Sequence, residues 1–141
     1  MTGQPESNLG ALLRSMQPHL NEGIYVYASV PASFDLAGLR AIASFREAEG
    51  VTLILREEEA HRANLKTLFR AAWITLTVHS DLQAVGLTAA FAGALGKAGI
   101  SCNVVAAAYH DHIFVPVESA ENALAVLYAL QEQAESAASE N

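Results

Sequence analysis

The spacing of apolar residues along the chain predicts a run of short elements with two different periods. Leu9, Leu12, Leu13 and Met16 recur at the spacing of a helix face, and Pro18 then closes that helix. Ile24 to Val30 (IYVYASV) is β-branched and aromatic and stops at Pro31, which predicts a strand. Asp35 to Ile42 reads as a short helical piece. Ser44 to Glu47 and Val51 to Arg56 are extended runs flanking Glu49-Gly50, a tight-hairpin signal. Glu57 to Asn64 (EEEAHRAN) predicts a small helix whose three leading acids suit the positive end of its dipole.

The second half repeats the order with stronger signals. Trp73 to His79 (WITLTVH) alternates, with Ile74, Leu76 and Val78 on one face and Thr75, Thr77 and His79 on the other, as in a half-buried strand. The loop Ser80 to Ala84 leads into a helix over Val85 to Ala98 that Gly99 stops. Ser101 to Tyr109 and His112 to Val117 predict two strands joined at His110-Asp111. Ser119 caps a helix over Ala120 to Ala134, with Ala123, Leu124, Leu127, Leu130 and Ala134 on one stripe. Glu135 to Asn141 is small, polar and expected to fray.

Each half therefore reads β-α-β-β-α, at a spacing of roughly 50 residues. Adding a closing strand gives the split βαβ arrangement, so the predicted class is α+β: tandem ferredoxin-like repeats (βαββαβ) with antiparallel sheets and helices on one face. The expected divisions are an N-terminal helical segment over 1–23, a first repeat over 24–67, a second over 68–134, and a tail over 135–141. One strand is missing from the count. Leu68 to His79 both ends the first unit and begins the second, and nothing strand-like follows the last helix. Either Ile24 to Val30 or a strand from a second chain has to complete one sheet. An incomplete edge invites pairing, so a homo-oligomer, a dimer or higher, is the expected state.

Composition narrows the function classes. With 52% hydrophobic and 16% charged residues in 141, disorder is excluded as the main state. Eight basic residues against 15 acidic ones give a net charge of −7, which argues against nucleic-acid or anionic-membrane partners. The single Cys102 has no internal disulfide partner, and no cationic sequence neighbour activates it, so it reads as a small buried hydrophobe. The polar start, Met1 to Asn8, lacks the order of a signal peptide. The longest weakly polar stretch, Val85 to Ala98, is shorter than the ~20 residues of a spanning helix. A cytoplasmic location is expected by elimination.

The segment from Trp73 to Leu130, opening WITLTVHSDLQAVGL, resembles ACT domains, small modules of a β-hairpin and two helices that bind amino acids and other small effectors. It looks closest to the stand-alone bacterial proteins with two such domains in tandem, and more distantly to the ACT repeats of the animal cytosolic arginine sensor. Ser44 to Leu55 (SFREAEGVTLIL) resembles the first repeat of the same stand-alone group. The resemblance implies regulatory binding rather than catalysis, with effectors held at a repeat or subunit interface. Their contacts come from the loop between the first strand and first helix and from the facing second strand. In that loop Asp81 matches the family's acid, Gly86 its glycine and Leu87 its apolar residue, while Val85 replaces its proline.

The residues themselves fit such a role. Gly86 has no Cβ, so its backbone can approach a ligand, and free N–H groups at a helix start favour a carboxylate. His79 or Asp81 would meet an ammonium group, Thr88 adds a hydroxyl, and Asn103 is the polar residue of an otherwise apolar strand. The plainer alternatives are that Ser80 or Asp81 caps the helix, that Gly86 allows close packing, and that Asn103 faces solvent. Tyr109-His110-Asp111-His112 holds metal-ligand types, with His79 as a possible neighbour. However, no third ligand follows at firm spacing, so it reads as a polar hairpin tip whose solvent-facing histidines could make assembly pH-sensitive. No metal or cofactor and no catalytic residue is expected. The leading expectation is an effector-binding module with an amino acid as the suspected ligand. An adaptor that binds nothing small is the alternative, and a metal-dependent enzyme built on His79, His110, Asp111 and His112 ranks third because no nucleophile–base pair supports it.

Overall fold

A computed structural model describes residues 8–78 and 85–139. Seven strands form one antiparallel sheet: β1 (Pro18–Leu20), β2 (Tyr25–Val30), β3 (Ala43–Arg46), β4 (Val51–Arg56), β5 (Thr67–Leu76), β6 (Asn103–Ala106) and β7 (Asp111–Pro116). The order across the sheet is β3-β4-β2-β5-β7-β6, with β1 also on β5. Helices α1 (Leu9–Ser15), α2 (Glu57–Arg62), α3 (Leu87–Lys97) and α4 (Ala120–Ser139) complete the chain, with a 3-10 turn at Val117–Ser119 before α4. The tandem ferredoxin-like class holds.

Strand β5 carries the architecture. On one edge its first half pairs with β2 (Tyr25 opposite Ala71, Tyr27 opposite Phe69) and its last residues pair with β1 (Pro18 opposite Leu76, Leu20 opposite Ile74). On the other edge it pairs with β7 from Ala71 to Leu76. The ten residues thus close the sheet of the first unit, β3-β4-β2, and open that of the second, β7-β6. The missing strand is neither Ile24 to Val30, which belongs to the first unit, nor a second chain. It is β1, a three-residue segment after Pro18. Asn21 pins it by donating its backbone N–H to the Trp73 carbonyl at 2.9 Å and its side-chain amide to Thr75 Oγ1 at 2.9 Å. The Gln17 carbonyl accepts from both the N–H and the hydroxyl of Thr77 at 2.9 Å.

Alternation along β5 sends Ala72, Ile74 and Leu76 to the helix side and Phe69, Ala71 and Trp73 to the opposite face. The larger core lies on the helix side of the second unit. There Ile113 and Val115 of β7 meet Phe91 and Leu95 of α3, Leu127 of α4 and Leu12 of α1. At ~1.5–3 kcal/mol for each large side chain withdrawn from water, this cluster is the main source of stability. The first unit has a smaller core of Val26, Ala28, Val30, Leu53, Leu55 and Ala60, covered in part by Phe34, Leu39 and Leu65.

Four local expectations need correction. Asp35 to Ile42 is not helical: the Asp35 carboxylate accepts the Ala37 N–H at 2.9 Å, and Gly38 at φ +85° turns the backbone left-handed. An Asx turn followed by a left-handed residue ends a helix before its first turn closes. The β6–β7 hairpin turns earlier than His110-Asp111. Ala107 donates to the His110 carbonyl at 3.1 Å around Ala108-Tyr109, and Asp111 already pairs with Ala106. The helix expected to end at Ala134 continues as α4 to Ser139. Helix α4 also starts behind a 3-10 turn that contains Ser119, rather than at a simple Ser119 cap.

Candidate functional site

The predicted binding residues fall on both faces of the sheet. His79 and Asp81 lie outside the described residues. Gly86 is the N-cap of α3 at φ +102°, a left-handed conformation that suits glycine. Among the described residues no side chain caps α3, and its first turn holds no acid. Val85 is 86% exposed and Thr88 is exposed, so both are open to a ligand. Leu87 is not: it is buried in the main core. Gly86 also faces the N-terminal helix, since a Cβ there would stand 3.2 Å from Leu9 Cδ2. Asn103 stands apart from this group. It pairs with Phe114, while its neighbour Val104 packs toward the helices, so Asn103 projects from the face away from α3.

That opposite face is concave and largely aromatic. Tyr27 meets the edges of Phe69 and Phe114 at centroid distances of 5.6 and 5.8 Å. Trp73 stacks on Phe114 at 6.2 Å and receives Tyr25 edge-on at 5.2 Å. The sheet curls so far that its two edge strands share a cavity of about 310 Å³, with Ser44 and Phe45 of β3 on one side and Asn103 and Val105 of β6 on the other. A second cavity of about 240 Å³ adjoins it through Ala43 and Val105 and reaches Trp73 and His112. Sequence reasoning missed this surface. The signal was present in the alternation, because Tyr25, Tyr27, Phe69 and Trp73 occupy the strand face opposite the aliphatic one, where polar residues are the rule.

The histidine cluster is not a solvent-facing tip. Asp111 is buried and His112 is half-buried. The Trp73 indole donates to His112 Nδ1 at 3.1 Å, and Thr75 Oγ1 lies 3.1 Å from the same nitrogen. An indole N–H only donates, so Nδ1 accepts and the proton of the neutral ring sits on Nε2. Burial, followed by the neighbouring His110, holds the His112 pKa below the usual imidazole range. Burial raises the Asp111 carboxyl, opposed by His112 and His110. Cys102 is half-buried against the main core, and desolvation pushes its thiol up to about 11, which suits packing rather than nucleophilic chemistry. Among the described residues, no three His, Cys, Asp or Glu side chains are grouped to hold a metal ion. Among the same residues, no helix is long and apolar enough to cross a membrane.

Comparison with known families supplies the frame for this geometry. Two different ACT-domain models match in tandem, one over residues 4–72 and the other over 69–129. The chain belongs to the ACT-domain family. Its fold matches a Vibrio cholerae protein of unknown function, described as a possible transport protein, at 49% identity and a TM-score of 0.80, covering 87% of this chain and 95% of that one. It also matches an Agobacterium tumefaciens protein at 15% identity and TM-score 0.65 (82% and 89% covered). The regulatory subunit of aspartate kinase from Thermus flavus matches at 11% identity and TM-score 0.63 (80% and 95% covered). The last two likenesses show the shared fold. Comparison with proteins of curated function finds no match. In ACT terms, β5 is the closing strand of the first domain and the opening strand of the second, and both models include residues 69–72 within it.

Proposed function

We propose that this ACT tandem is a regulatory module of the cytoplasm that works as a homo-oligomer and takes up a small zwitterionic effector, an amino acid, at a repeat or subunit interface. The observation that carries the reading is the start of α3. It presents a left-handed glycine, no acid in its first turn, no side-chain cap among the described residues, and an exposed Thr88 hydroxyl. First-turn N–H groups that no described side chain caps, together with the positive end of the helix dipole, are suited to a carboxylate. His79 and Asp81, which precede this turn in sequence, are the proposed partners of the ammonium group. Val85 and Leu87 flank the glycine, the first at the surface and the second as its anchor in the core. Asn103 is too differently placed to share that ligand within one chain and would reach it only from a second copy.

An amino acid that binds the folded chain alone must raise its melting temperature, by the equivalent of ~2.7 kcal/mol at a hundredfold excess over Kd. Screening the twenty amino acids at millimolar concentration is the direct test, and no shift with any of them overturns the reading. Thr88→Glu separates binding from folding. A first-turn acid should raise stability by ~0.3–1 kcal/mol while its carboxylate displaces that of the effector. Retained binding in a stabilised Thr88→Glu protein would move the site away from α3.

The second reading, an assembly or adaptor module that binds nothing small, draws on the same turn. Leu9 packs over Gly86 and Leu87 is spent on the core, so two of the predicted residues have packing roles already.

A further inference from the structure

We propose that the cleft between the sheet's two edge strands, on the face away from α3, is a second binding site, for a small neutral aromatic molecule. The site is independent of the effector reading above. The two adjoining cavities, about 310 and 240 Å³, meet at Ala43 and Val105 and have the dimensions of a small-ligand site. Their floor is built of the faces and edges of Tyr27, Trp73 and Phe114, with Ile54 beside them. An aromatic guest finds offset and edge-on partners there on more than one side.

The polar groups fix the chemistry further. No ionised carboxylate, ammonium or guanidinium group lines either cavity, although the chain as a whole carries a net charge of −7. A charged guest would be desolvated without a counter-charge, so the guest is neutral. The Tyr27 hydroxyl and the Asn103 amide make no hydrogen bond among the described residues, whereas Thr52 is engaged by Glu47 and His112 Nδ1 by Trp73. Burial raises the Tyr27 pKa, with Cys102 adding to it, so the phenol stays a donor. Two unspent polar groups therefore converge on an apolar pocket and suit a guest with one or two hydrogen-bonding atoms. Phe45, 71% exposed on β3, and Val105, 37% exposed on β6, stand at the rim and would be covered by the guest.

Trp73 is the only tryptophan of the chain and lines the inner cavity, so it reports occupancy directly. The test titrates the full chain with N-phenyl-1-naphthylamine, a neutral aromatic dye that accepts energy from indole, and in parallel with the anionic 1-anilinonaphthalene-8-sulfonate. The expected result is saturable sensitised emission from the neutral dye, with the anionic dye at least about tenfold weaker. Val105→Asp and Ala43→Phe, which charge and fill the junction, should each weaken the neutral dye by about tenfold or more. Phe45→Ser, at a position exposed enough to spare the fold, should weaken it about threefold if the others unfold. Unchanged emission in variants shown by their melting curves to be folded overturns the proposal, and so does equal affinity for the two dyes. A wild-type dimer that excludes the dye and becomes monomeric on Phe45→Ser would assign the cleft to a second copy, and also overturns it.

Discussion

The two halves of this chain share a strand plan and differ in what covers it. The second unit lays α1, α3 and α4 over its sheet, and the buried side chains of these helices interlock with those of β5 and β7. The first unit has only the six-residue α2 and, where its partner has α3, a turn-rich segment from which Phe34 and Leu39 fold back onto the sheet. Both arrangements bury their strands: Val26, Ala28 and Leu55 are as inaccessible as Ile74 and Ile113. The strand framework of an ACT unit therefore tolerates the loss of a helix, provided that apolar side chains still cover the sheet. The stabilising weight moves to the better-covered half.

The largest expected effect comes from removing residues 1–23. This strips Leu12 and Met16 from the main core and leaves the β5 edge opposite Pro18–Leu20 unpaired. Two such losses at ~2–5 kcal/mol each approach the whole stability of a small protein, and circular dichroism should show loss of the cooperative melt. Point variants then sharpen the contrast between the halves. Phe91→Ala should cost ~3–5 kcal/mol and Leu39→Ala in the thinner cover ~1 kcal/mol, compared by urea unfolding. Similar costs would show that the first unit's turn-rich cover is structurally equivalent to a helix.

Gly86→Ala places a Cβ against Leu9 in a left-handed backbone, for an expected loss of ~1–2 kcal/mol by the same measurement. The smallest effect is with pH. Because the folded pKa of His112 is depressed, its contribution is fully present above the ordinary imidazole value near ~6.5 and is lost as pH falls through the lower folded value. Asp111, with a raised folded pKa, works in the opposite sense over the more acidic range above the ordinary carboxylate value. A melting temperature that declines as pH falls below about 6.5, and declines less in His112→Asn, is the expected result.

Much of the fold was legible because alternation and helical spacing act locally. The core face of Ile74 and Leu76 on β5 and of Val78 just after it, the Glu49-Gly50 hairpin and the α3 and α4 stripes all follow from residues close in sequence. What escaped depended on partners far along the chain. Strand β1 is three residues with no pattern of its own, and it is extended because Thr75 and Leu76 offer it an edge some fifty residues away. The histidines looked solvent-facing because the sequence does not show that Trp73 would donate to His112 across two strands. Of the candidate site, the turn around Gly86 could be read from local chemistry. The separation of Asn103 from it follows only from the strand's phase within the curled sheet.

The placement of β1 sets an order of events during synthesis. The N-terminal segment packs on α4, where Tyr128 donates to the Pro18 carbonyl at 3.4 Å and Gln131 to the Arg14 carbonyl at 2.8 Å. Its partners on α4 therefore leave the ribosome more than 100 residues after it does. The first unit can assemble once β5 has emerged, but α1 and β1 must wait for α4. Until then the edge of β5 that β1 will occupy is open to any other strand, which makes the interval before α4 emerges the period when a nascent chain is most exposed to mispairing.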